Sequence, residues 1–142
     1  MELSTSVDKY QVSKHQVPNK FKMLNNQTIK RFDLEERTLN FSRKVIDLVN
    51  SLPKNSVNFE LVSQVVRSAG SVGANYREAN EALSKKDFYM RIRICRKESK
   101  ETRYWLELIL HNNSYSEKVI QPLIGESTEL IKIFSSMINK SV

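Results

Sequence analysis

The segment Arg67 to Ala79, RSAGSVGANYREA, places small residues and one asparagine where a helix interior would carry large hydrophobes. Such a helix is built for close packing. If Ala69, Gly70, Gly73 and Ala74 are buried beside Val65, Val66 and Val72, a neighbouring backbone can approach closely, against a cost of about 1 kcal/mol per glycine in helix propensity. Few architectures other than packed helices use that pattern. Only three glycines and three prolines punctuate the 142 residues, which leaves little turn chemistry for a many-stranded sheet. The length fits one domain that needs neither disulfides nor a structural metal.

Apolar periodicity divides the chain into four helices. Asp33 followed by Glu36 predicts the start of the first, with Leu34, Phe41, Val45, Leu48 and Leu52 as its buried stripe and Pro53 as its stop. PKNSVN is then a loop. The second helix is expected from about Phe59 to Ala82, with Val62, Val65, Ala69, Val72, Tyr76 and Ala79 on one face. Ser84 is the expected cap of a long third helix that carries Phe88, Ile92, Cys95, Ser99, Thr102, Leu106 and Ile109 at a/d spacing. Met90, Ile94, Trp105 and Leu108 give this helix a second apolar flank. HNNSYSE breaks the pattern, and Leu123, Ile124, Leu130, Ile131, Ile133, Phe134, Met137 and Ile138 define the fourth helix. Pro122 either opens that helix or kinks one begun near Glu117. The expected fold is all-α, an up-down-up-down antiparallel four-helix bundle over residues 33–142. Residues 1–32 read as a mobile basic arm.

Charge restricts the partners. The net charge is +7 with a pI near 9.6, which favours an acidic partner such as nucleic acid. The arm holds six basic residues against two acidic, a net +4, and the bundle holds the rest. No leading apolar region is present and no stretch approaches the ~20 apolar residues that span a bilayer, so a cytoplasmic protein with no membrane partner is expected. A lone cysteine offers no disulfide framework and agrees with a reducing compartment.

Catalytic and metal chemistry find little support. Di-iron bundles require Glu-x-x-His pairs, and the histidines are His15 in the arm and His111 near the end of the third helix. Cys95 falls on an apolar face, and GSVG lies inside a helical repeat with no preceding strand, so neither a nucleophile nor a phosphate loop is read. No catalytic residue, metal or cofactor is expected. Ser71, Asn75, Glu78, Glu98 and Glu101 form instead a structural polar network, in which Asn75 and Glu78 meet Lys97, Glu98 or Glu101 and set helix register.

One electrostatic pattern stands out. Lys86, Arg93, Arg96, Lys97, Lys100 and Arg103 fall within about 120° of arc on the third helix, with Tyr104 among them. These residues are the candidate nucleic-acid contacts. A solvated face paired with neighbouring glutamates accounts for the same residues equally well.

FDLEERTLNF at Phe32 to Phe41, QVVRSAGSVGANYREANEA at Gln64 to Ala82, SKKDF at Ser84 to Phe88 and KESKETRYWLELI at Lys97 to Ile109, in this order, resemble the four-helix-bundle family related to the 23S rRNA intervening-sequence protein. The resemblance implies a four-helix protomer assembled into a ring, a homopentamer, without a recognised enzymatic site. The accessory protein of diversity-generating retroelements looks like the same bundle, which brings nucleic acid and a reverse transcriptase into view as partners. Two readings follow from residues and resemblance together. One is a homo-oligomer that binds RNA or DNA non-specifically; the other is a protein-interaction scaffold without nucleic-acid binding.

Overall fold

The structure, a computed structural model, describes the backbone of residues 19–140 and the side chains of residues 33–140. Four α-helices and one 3-10 turn make up these residues: α1 (Asn19–Ser51), α2 (Ser56–Asn80), α3 (Lys85–Asn112), the turn Ser114–Ser116 and α4 (Glu117–Asn139). The described residues contain no strand. The chain divides into two units after Glu36, and the bundle belongs to the second, which α1 enters at Arg37.

Local chemistry accounts for the helix ends. Neither glycine nor proline occurs between Pro18 and Pro53, so nothing interrupts α1 at Asp33. That residue lies inside the helix and is not its cap. The part of the expected arm before residue 19 lies outside the described residues. Asn55 caps α2, accepting from the Asn58 amide at 2.9 Å, and the helix therefore starts at Ser56, earlier than the apolar repeat suggests. It also ends at Asn80, short of Ala82. Ser84 caps α3 as expected, with the Asp87 amide donating to its Oγ at 3.1 Å. The 3-10 turn leads directly into α4 at Glu117, which leaves Pro122 in the helix interior.

Antiparallel packing follows from residue pairs whose numbers rise on one helix as they fall on the next. Between α2 and α3, Ser68 meets Thr102, Val72 meets Cys95 and Asn75 meets Arg91. Between α1 and α4, Arg37 meets Glu126, and Leu48 and Ser51 line a cleft with Val119 and Leu123. The core holds Phe41, Val45 and Leu48 of α1, Val65, Ala69, Val72 and Tyr76 of α2, Ile92, Leu106 and Ile109 of α3, and Ile120, Leu130 and Phe134 of α4. Tyr76 and Phe134 cross it, ring centroids 6.2 Å apart and tilted by 45°.

The small-residue segment divides its tasks more finely than periodicity implies. Ala69 is fully buried, whereas Gly70 and Ala74 are exposed. Gly73 makes the close approach: a Cβ there would lie 3.1 Å from Thr38 Oγ1 and 3.4 Å from Thr38 Cβ. At Gly70 the same atom would meet only Ser42 Oγ, at 3.9 Å. Close packing in this segment is therefore a contact between Gly73 and α1.

Candidate functional site

Helix α3 packs one face on α2 and another on α4, and its remaining circumference is the surface of interest. Ile92, Cys95, Ser99, Thr102, Leu106 and Ile109 are buried, so residues half a turn away are held outward by the core itself. Lys86, Arg93, Lys97 and Lys100 are exposed along that outward strip. Lys86, Arg93 and Lys97 line a groove of about 460 Å³ together with Asp87, Met90 and Ile94. Lysine and arginine ends around an apolar floor can hold anionic oxygens while their stems cover the floor.

Arg96 and Arg103 are set further back. Both are half-buried, and the Arg103 Nη1 donates to Thr128 Oγ1 on α4 at 3.4 Å while its Nε lies 4.0 Å from Glu107 Oε1. Arg103 thus serves the α3–α4 seam. Lys97 is 4.0 Å from Glu101 Oε1 but leaves 72% of its side chain accessible, and an exposed pair of that length is worth little.

The polar edge between α2 and α3 assembles differently from the expected network. Asn75 donates through Nδ2 to the Ser71 carbonyl and to Ser71 Oγ, both at 2.9 Å, and accepts from Arg91 Nη1 at 2.9 Å. The antiparallel register puts Arg91 opposite Asn75, so Lys97, Glu98 and Glu101 lie too far along α3 to reach it. Glu78 is exposed on α2. Glu98 and Glu101 find each other: a hydrogen bond with Glu98 is the main cause that raises the Glu101 carboxyl above the ordinary range, helped by burial and the Glu98 charge and opposed by Lys97 and Arg67. Arg91 gave no sequence signal, because it lies outside the basic arc and only the register reveals its partner.

The Cys95 thiol is buried, donates to the Val72 carbonyl at 3.5 Å, and is pushed up to about 12 by desolvation, which leaves no thiolate at neutral pH. Among the described residues no three His, Cys, Asp or Glu side chains converge as a metal site would require. No helix of these residues is long and apolar enough to cross a membrane.

The second apolar flank of α3 survives folding. Met90 is exposed, and Ile94, Trp105 and Leu108 are half-buried. Trp105 also carries a buried indole Nε1 with no acceptor, and its ring is packed edge-to-face by Tyr104 at 5.2 Å and 71°. Tyr104 itself is 56% exposed beside Lys97 and Lys100.

The family model described as 23S rRNA-intervening sequence protein matches residues 30–136. The chain belongs to this family. A solved structure of the same lineage, a protein of unknown function from the S23 ribosomal protein family of Bacteroides thetaiotaomicron, is 33% identical, with a TM-score of 0.70 over 78% of this chain and 98% of that one. No curated protein matches the chain. Membership in the intervening-sequence family agrees with the four helices and their order, and the matched span takes in all of α2 and α3.

Proposed function

We propose that the protein is a non-enzymatic, cytoplasmic bundle that associates with copies of itself and binds RNA or DNA without sequence preference through the outer face of α3. One observation carries the nucleic-acid reading: Lys86, Arg93, Lys97 and Lys100 stand exposed on one strip of α3 while the remaining arc residues, Arg96 and Arg103, are drawn back. From Lys86 to Lys100 the strip runs on the order of 21 Å along the helix axis. Such a row matches a polyphosphate backbone and carries no directional hydrogen-bond code for base edges, which predicts affinity without sequence choice.

Self-association has its own support. Met90, Ile94, Trp105 and Leu108 form an apolar flank that neither α2 nor α4 covers completely, and a ring of copies, five by the family resemblance, would bury it. Repetition of the basic strip around a ring would raise avidity without new contacts. The same flank favours the second reading, a scaffold whose partner is another polypeptide, such as a reverse transcriptase, and whose lysines keep it soluble.

A salt-titrated binding assay separates the two readings. If about four phosphates are neutralised per site, log K falls with log salt at a slope of about −3.6 on a duplex and about −2.8 on a single strand. Charge reversal at Arg93 and Lys100 should abolish binding. Recovery of one protein partner after nuclease treatment, with no measurable affinity for any polynucleotide, would establish the scaffold. Light scattering on the purified protein gives the number of copies.

A further inference from the structure

We infer that the nucleic acid taken by α3 is an unpaired strand, with one base stacked on Tyr104 and adjacent phosphates on Lys100 and Lys97. This rests on the nucleic-acid reading above and narrows its ligand.

Tyr104 is 56% exposed one helical turn beyond Lys100, at the C-terminal end of the basic strip. An aromatic side chain in such a position ordinarily folds down over apolar surface or a lysine stem. Here Trp105 holds it: the two rings meet edge-to-face at 5.2 Å and 71°, and Trp105 is itself anchored, half-buried with its indole nitrogen out of solvent. Much of the ring's rotational freedom is therefore lost before any ligand arrives, which lowers the cost of stacking on it.

Position decides the ligand class. Lys100 lies one helical turn before Tyr104 and Lys97 one turn before that, on the same side of α3. Along the axis the Cα atoms of Lys100 and Lys97 stand about 6 and 10 Å from that of Tyr104. A duplex presents base edges in its grooves and phosphates outside, with every internal base face already stacked, so an exposed tyrosine face adds nothing to duplex binding. An unpaired base has a free face, and stacking on an aromatic beside a basic track tolerates any base. The combination of one aromatic platform and flanking lysines thus selects strand state and leaves sequence unread.

The test uses the full chain, at one fixed low salt concentration, with four fluorescently labelled probes of equal length: an unstructured oligouridine RNA, the oligothymidine DNA, an abasic DNA of the same charge, and a duplex. Anisotropy gives affinity, and the emission of Trp105, the sole tryptophan, reports contact at Tyr104 with unlabelled probes. Both single strands should bind about tenfold tighter than the abasic strand and the duplex, and should quench Trp105. Tyr104→Ala should remove that advantage while Tyr104→Phe retains it, and circular dichroism should show both variants fully helical. A larger effect with RNA than with DNA would identify the ribose as a further contact and still support stacking. Equal affinity for all four probes, unchanged by Tyr104→Ala, overturns the inference and leaves a phosphate-only interface. Failure of every probe to bind overturns the nucleic-acid reading as well.

Discussion

Asn58 and Asn113 exchange hydrogen bonds across the buried end of the bundle, Nδ2 of Asn58 to Oδ1 of Asn113 at 2.9 Å and Nδ2 of Asn113 to Oδ1 of Asn58 at 2.8 Å. Each amide spends its second proton on backbone, Asn58 on the Pro53 carbonyl and Asn113 on the Ile109 carbonyl. Asn112 adds a donor to Asn58 Oδ1. Both partners are 1% exposed, and the pair joins the loop after α1 to the first turn of α2 and the end of α3.

Truncation of either member should therefore be costly. Asn58→Ala strands the Asn113 amide in the core, and a loss of about 2 to 3 kcal/mol is expected in urea unfolding. A loss below about 0.5 kcal/mol would show that the cluster relaxes and does not lock the helices.

Two glycines separate propensity from packing. Nothing stands within 4 Å of a Cβ at Gly125, so Gly125→Ala should stabilise the fold by up to about 1 kcal/mol through helix propensity. At Gly73 the added methyl meets Thr38, which is fully buried. Gly73→Ala should destabilise, and Gly73→Ala with Thr38→Ser should not repair it, because the Oγ contact remains. Thermal midpoints of the three variants decide the order.

The Glu98–Glu101 pair predicts a weak pH dependence. Its cause is the carboxyl–carboxyl hydrogen bond, which holds Glu101 above its ordinary value of 4.5. An acid whose pKa is raised on folding binds its proton more tightly in the folded chain. Its favourable contribution is complete below the ordinary value and is lost as pH rises through the raised one. The folded protein should thus gain stability from this pair as neutral solution is acidified toward pH 4.5. Glu98→Gln should flatten that profile and leave stability at neutral pH equal or higher. The effect is small because 39% of the Glu101 side chain is accessible. Urea midpoints at several pH values provide the measurement, and a variant that loses stability at neutral pH would contradict it.

Arg37 grips Glu126 with two parallel bonds, Nε to Oε2 and Nη2 to Oε1, each 2.8 Å. This fork joins α1 to α4, helices that no short loop connects. A double-mutant cycle with Arg37→Met and Glu126→Gln should return a coupling of about 0.5 to 1 kcal/mol, since the two side chains remain 37% and 27% exposed. Added salt should weaken it, and a coupling of zero would reduce the pair to a surface contact.

Periodicity alone places α2 and α3 to within about three residues and the body of α4, whose start it leaves open between Glu117 and Pro122, because three- and four-residue apolar spacing has one stable outcome when a chain lacks turn residues. The cap at Ser84 was legible for the same local reason. Asn55 carries no such signal, since the apolar repeat begins only after Ser56 and Val57, and the first helix extends upstream of Asp33 because nothing in that stretch can stop it.

The basic arc on α3 was equally visible in the chain, as angle is a property of one helix. Which of its members stand free was decided by the fold: Arg103 is tied to Thr128 by α4, a neighbour that the spacing of lysines and arginines does not mention. The Asn58–Asn113 pair, the Asn75–Arg91 bond and the Arg37–Glu126 fork each join residues from different helices. Local pattern determines which face of a helix is apolar or charged, whereas only the antiparallel register, set when four such faces pack, determines which side chain stands opposite which.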